Sequence, residues 1–197
     1  MSKFWLLPIV LLTVFSCNKK NDESNEQLLR DRYFQLQKIG WKSKTYNNYI
    51  DDINFTATEV PVQYYLLKDK GNQNLTTIDS IYNANNQERI IEFTYQHDEE
   101  QDLLQNKFTG QSNEEAIKYL SFSVEKDFYV VTSSQDTIPC NGVIYERAFK
   151  VTPYQKILLF FSGIKPEDKI QLVYKDYLFN KGIMKFKFKD PYTQIKL

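Results

Sequence analysis

Met184-Lys185-Phe186-Lys187-Phe188-Lys189 alternates apolar and basic residues without a break. Successive side chains of an extended strand point to opposite faces, so Met184, Phe186 and Phe188 share one face and the three lysines the other. A helix would scatter both sets around its axis. The segment therefore reads as a strand with one face on a core and one in water. A row of lysines also discourages edge-to-edge pairing with other chains.

The same period recurs upstream. Ile170, Leu172 and Tyr174 alternate with Gln171 and Val173, which puts Tyr174 on the core face. From Arg89 to Gln96, Ile91, Phe93 and Tyr95 alternate with Glu92 and Thr94. Ile157-Leu158-Leu159-Phe160-Phe161 does not alternate, which predicts a central strand covered on both faces. Further strands are expected over Asp127–Thr132 and Leu120–Val124. Two more are expected in the β-branched and aromatic run Val60–Leu67, where Pro61 belongs at a start or an edge, and over Leu75–Tyr82. Asn141-Gly142, between Ile138 and Val143, reads as a two-residue hairpin turn, and Gly163–Asp168 as a loop.

The period changes between Asp98 and Leu120. Asp98-Glu99-Glu100-Gln101-Asp102 places acids where a helix N-terminus favours them, ahead of Leu103-Leu104. Ser112-Asn113-Glu114-Glu115 has the Ser-x-x-Glu spacing of a capping box. One or two short helices interrupted near Gly110 follow. Over residues 28–39, Leu29, Tyr33, Leu36 and Ile39 lie at helical spacing, while Phe34–Gln37 alternates like a strand. The expected fold is mainly β: a two-layer antiparallel β-sandwich with one or two short helices, immunoglobulin-like in strand rhythm but without the Cys…Trp…Cys signature.

The other decisive stretch is at the N-terminus. Lys3 precedes an uncharged apolar run from Phe4 to Phe15, then Ser16 and Cys17, and the chain then turns polar at Asn18-Lys19-Lys20-Asn21-Asp22-Glu23. A basic start, a short apolar run and a small residue at the cut make a secretory signal, too short to span a bilayer. Val14-Phe15-Ser16-Cys17 resembles the lipobox of bacterial lipoproteins, with Phe15 bulkier than the usual residue at its place. The resemblance implies cleavage before Cys17, a diacylglycerol on its sulfur and an acylated new N-terminus. Richness in Lys, Asn, Ile, Tyr and Phe together with the SCNKKND junction resembles lipoproteins of Bacteroidota-type bacteria. In that group, acids soon after the cysteine can direct export to the surface. The expected organisation is a signal peptide over 1–16, a lipidated cysteine and polar tether over 17–27, and one β-rich domain over 28–197. The expected location is the outer membrane, facing periplasm or cell surface.

Composition narrows the function classes. The chain holds 25 basic and 25 acidic residues, and the signal removes only Lys3. This balance gives no electrostatic case for nucleic acid or anionic lipid. Hydrophobic content of 42% with 15% aromatic argues for a packed domain. With Cys17 committed to lipid, Cys140 has no partner for an internal disulfide and reads as a buried small hydrophobe.

Catalytic motifs are sparse. His97 is the one histidine, no Gly-x-Ser-x-Gly elbow accompanies it, and it reads as a surface residue at a strand end. Too few His and Cys exist for a zinc site. The Asp98–Asp102 run lacks EF-hand spacing, and no metal or cofactor is expected. Aromatics are the remaining resource. Trp41, Tyr46, Tyr49, Tyr174, Tyr177 and Phe179 either fill the core or form a recognition patch, with Trp41, Tyr177 and Phe179 as the candidate patch beside the Asn180-Lys181-Gly182 turn. The expected function is a membrane-anchored, non-catalytic binding or scaffold module with an envelope protein or glycan as partner. The alternatives are an adhesin or glycan-binding module, a toxin-neutralising immunity lipoprotein, and a carboxylate-dependent hydrolase.

Overall fold

The computed structural model describes residues 44–70, 75–147 and 151–190. Cys17, Trp41, the tether and the 28–39 segment lie outside the described residues. Nine strands among the described residues form two antiparallel sheets stacked as a β-sandwich. The strands are β1 (Lys44–Ile50), β2 (Ile53–Val60), β3 (Arg89–His97), β4 (Phe128–Thr132), β5 (Thr137–Pro139), β6 (Gly142–Glu146), β7 (Tyr154–Phe161), β8 (Ile170–Asp176) and β9 (Gly182–Lys187). Sheet A runs β1-β2-β3-β7-β6 and sheet B runs β5-β4-β8-β9.

The inner faces follow the alternation. Phe55, Ala57, Ile91, Phe93, Tyr95, Ile157 and Leu159 from sheet A meet Phe128, Val130, Leu172, Tyr174, Met184 and Phe186 from sheet B. Phe93 sits at the centre, edge-on to Phe128 at 5.1 Å, Tyr174 at 5.2 Å and Phe186 at 5.3 Å between ring centroids. Such contacts contribute about 0.5–1.5 kcal/mol each beyond burial. Phe128 and Tyr174, opposite each other on neighbouring strands, stack at 4.3 Å.

The described residues contain four helices rather than one or two. Both additions replace expected strands: α1 (Val62–Lys70) occupies the Val60–Leu67 run, and α2 (Leu75–Ala84) occupies Leu75–Tyr82. Tertiary packing overrides β-propensity here. Val62, Tyr65 and Leu66 fall at helical spacing and meet Tyr82, Ile90 and Phe160 on the outer face of sheet A. Pro61 stands just before α1, where its missing N–H costs nothing. Gln63, fully buried, donates to Asp79 Oδ1 at 2.9 Å and ties the two helices together.

α3 (Asn106–Thr109) ends at Gly110, whose φ of 71° is open to glycine without strain. α4 (Asn113–Phe122) carries the expected capping box: the Glu115 N–H donates to Ser112 Oγ, and the Ser112 N–H donates to Glu115 Oε2 at 2.9 Å. The expected strand over Leu120–Val124 is instead the end of α4 and a 3₁₀ turn (Val124–Asp127), because Ala116, Leu120 and Val124 face the core at four-residue spacing. The Asp98–Asp102 acids do not start a helix. They form a turn in which Asp102 Oδ1 accepts from the Leu104 N–H, and α3 begins later.

Two turns exchange roles. Asn141-Gly142 makes no hairpin: neither residue has a positive φ, and the chain there passes from β5 in sheet B to β6 in sheet A. The Cys140 N–H bonds to Phe128 O in sheet B, and the next N–H, of Asn141, bonds to Phe160 O in sheet A. The two-residue hairpin lies at Asp51-Asp52, with φ of 46° and 65° and Ile50 paired to Ile53. Both central residues of this turn need positive φ, which Asp tolerates.

Candidate functional site

Polar groups buried at the two ends of the sandwich hold its loops. At one end Arg89 is fully buried. Its Nη1 donates to Glu59 Oε1 at 3.0 Å, and its Nη2 donates to the carbonyls of Lys165, Pro166 and Asp168. Lys44 lies 3.4 Å from the other Glu59 oxygen, and burial lowers its pKa against the pull of that carboxylate. The guanidinium therefore pins the β7–β8 loop.

At the other end Asp176 accepts from Tyr174 Oη and from the N–H groups of Leu178, Phe179 and Lys181, which fixes the β8–β9 connection. Asp127, also buried, accepts from Tyr119 Oη. Burial pushes its carboxyl up to about 7, and the Asp176 charge adds in the same direction.

The predicted site residues separate. Tyr177 is 64% exposed, whereas Phe179 is in the core against Phe55 and Tyr95. The turn exposes one ring and buries the other, because the Asp176 bonds wrap residues 178–181 inward. Tyr174 is in the core as expected, Tyr46 meets Phe188 edge-on at 5.1 Å, and Tyr49 is exposed with its hydroxyl on Asp98 Oδ2. His97 is at a strand end but buried, not on the surface, because Phe108 of α3 covers its ring at 5.0 Å. Its Nδ1 accepts from the Glu99 N–H. Cys140 is a buried free thiol, with its pKa raised by burial and its Sγ 3.2 Å from Gly142 O. Among the described residues no three His, Cys, Asp or Glu gather as cation ligands.

The surface that brings chemistry together is the outer face of sheet B, which no helix of the described residues covers. Its rows follow from register. Tyr129, Val173 and Lys185 lie side by side across β4, β8 and β9, and Val131, Gln171 and Lys187 form the next row. Lys175 pairs with Ile183, and its Nζ stands 5.6 Å from the Tyr129 ring centre. Lys175, Lys185, Lys187 and Lys189 are exposed, as is Ile183 at 63%. Val173, in the middle of the first row, is itself buried. At one end Val131 and Gln171 floor a hollow of about 540 Å³, bordered by Lys169, Lys187, Lys189 and Ser133. Sequence reading identified the lysine row of β9. It did not gather Lys169 and Lys175 to it, because only strand pairing places β8 alongside.

A second hollow, about 620 Å³, lies between the α3–α4 region and the β6–β7 strands, with Asp102, Asn113, Tyr145, Arg147 and Gln155 on its wall. Tyr145 Oη donates to Gln155 Oε1 at 2.6 Å within it. No protein-family model, curated protein or solved structure matches the chain.

Proposed function

We propose that the chain is a lipid-anchored, non-catalytic binding or scaffold module of the bacterial envelope that docks an anionic envelope component through the outer face of sheet B. One observation carries the docking face: the bare lysine rows of β8 and β9, in a chain whose total charge is balanced. A positive face on a neutral protein is a local field, and it selects partners by sign. The anchor rests on the Val14–Cys17 lipobox resemblance.

The test is amine-reactive footprinting of the chain in isolated envelopes and after detergent extraction. Lys175, Lys185 and Lys187 are expected to be shielded in envelopes and reactive once extracted, with Lys68 and Lys118 unchanged. Equal reactivity in both states overturns the docking face. A Cys17→Ala chain that still sediments with membranes overturns the anchor.

A further inference from the structure

We infer that the occupant of this face is an anionic lipid surface, with Lys175, Lys185, Lys187 and Lys189 over lipid phosphates and Ile183 and Tyr177 at the headgroup boundary. The inference rests on the reading of sheet B's outer face as the docking surface. Charge complementarity is the first argument. Lys169 joins those four lysines on the face, against the exposed acids Asp136 in the β4–β5 turn, Glu167 in the β7–β8 loop and Asp190. The Asp168 carboxylate is turned to the Ser133 and Ser134 hydroxyls, at 2.5 and 2.9 Å. Lys185 and Lys187 stand one pleat repeat apart, about 6.8 Å. Lysines near an anionic bilayer strengthen binding by roughly five-fold each.

The second argument separates a lipid surface from a soluble polyanion. Ile183 and Tyr177 are about two-thirds exposed, and Ile183 lies in the lysine rows, paired with Lys175, while Tyr177 follows directly on β8. A dissolved acidic chain has no use for exposed apolar side chains between its ion pairs. A membrane boundary takes both, because ammonium groups reach the phosphates while isoleucine and tyrosine enter the apolar margin. The surface is an open sheet, suited to lying flat, and the hollow between Lys169 and Lys187 has room for a headgroup.

The full chain is footprinted on phosphatidylcholine vesicles with and without phosphatidylglycerol, and, without vesicles, in soluble polyphosphate. On anionic vesicles the acylation of Lys175, Lys185 and Lys187 is expected to slow at least five-fold relative to zwitterionic ones. Lys68 and Lys118 should not change, and high salt should reverse the effect. A lipid anchor alone would not produce protection confined to one face. Lys187→Glu with Lys189→Glu is expected to abolish protection at Lys175 while leaving the urea midpoint in place; persistent protection overturns the inference. Protection by polyphosphate but not by vesicles overturns the lipid occupant and leaves the docking face standing. Protection by neither overturns both.

Discussion

On the outside of sheet A, Ile90 and Phe160 lie beneath the α1–α2 pair; on the outside of sheet B, Lys175, Lys185 and Lys187 lie open to water. The uncovered part of sheet A sets one lysine between two acids. Thr45 and Thr58 hydrogen-bond across β1 and β2 at 2.9 Å, and beyond them Lys156 is matched by Glu92 and Glu146. The bare face of sheet B has five exposed lysines, Lys169 included, and no such matching acid in its rows. A sheet needs one apolar face to make a sandwich; what stands on the other depends on what will cover it. Sheet A is covered by its own chain, whereas sheet B keeps a charged face that another surface can match.

Placing the same residue on both faces should break this comparison most sharply. Ile90→Lys, beneath the helix pair, would bury an unpaired ammonium and is expected to cost roughly 3 kcal/mol or more in urea unfolding. A midpoint close to wild type would mean that the helix pair does not cover the sheet. Arg89→Gln tests the loop that carries Lys169. It leaves Glu59 buried with Lys44 as its remaining cation, and an expected loss of about 3 kcal/mol would be measured the same way. A loss below 1 kcal/mol would show that the backbone bonds hold the loop without the charge.

Asp127→Asn sharpens the contrast between buried and exposed charge. The wild-type carboxyl, ordinarily near 3.8, titrates at about 7 in the folded protein. Between these values the folded state binds more protons than the unfolded one, so wild-type stability falls as pH rises from about 4 to 7. The amide removes this fall. The variant is expected to match wild type near pH 3 and to exceed it by on the order of 2 kcal/mol at pH 8, in urea midpoints across that range. Parallel pH profiles would show that Asp127 is ionised throughout. The smallest effect belongs to Ile183→Lys on the open face, expected to stay within about 0.5 kcal/mol of wild type by the same assay. A large loss there would show that some part of the chain covers sheet B after all.

Legibility followed the range of the forces. Arg89–Gln96, Ile157–Phe161 and Met184–Lys189 declared their strands because alternation, or its absence, is a local record of which faces are buried. Ser112–Glu115 declared its helix start because a capping box closes within four residues. Val60–Leu67 misled, because β-branched and aromatic residues serve equally well on a helix pressed against a sheet. Its Val62, Tyr65 and Leu66 spacing was the signal available. Asn141-Gly142 misled because an Asn-Gly pair permits a tight turn without demanding one, and β5 and β6 belong to different sheets. Asp51-Asp52 was missed as the weaker-looking version of the same signal.

The sequence by itself determined that β9 would be a lysine-edged strand, that Tyr174 would be internal and that α4 would begin at Ser112, since each depends on neighbours a few residues away. Only the tertiary structure decided that Phe179 is inside and Tyr177 outside, that Phe108 buries His97, and that Lys175 joins the β9 lysines on one open face. Those outcomes depend on which strands pair and what covers each sheet, and such contacts join residues far apart in the chain.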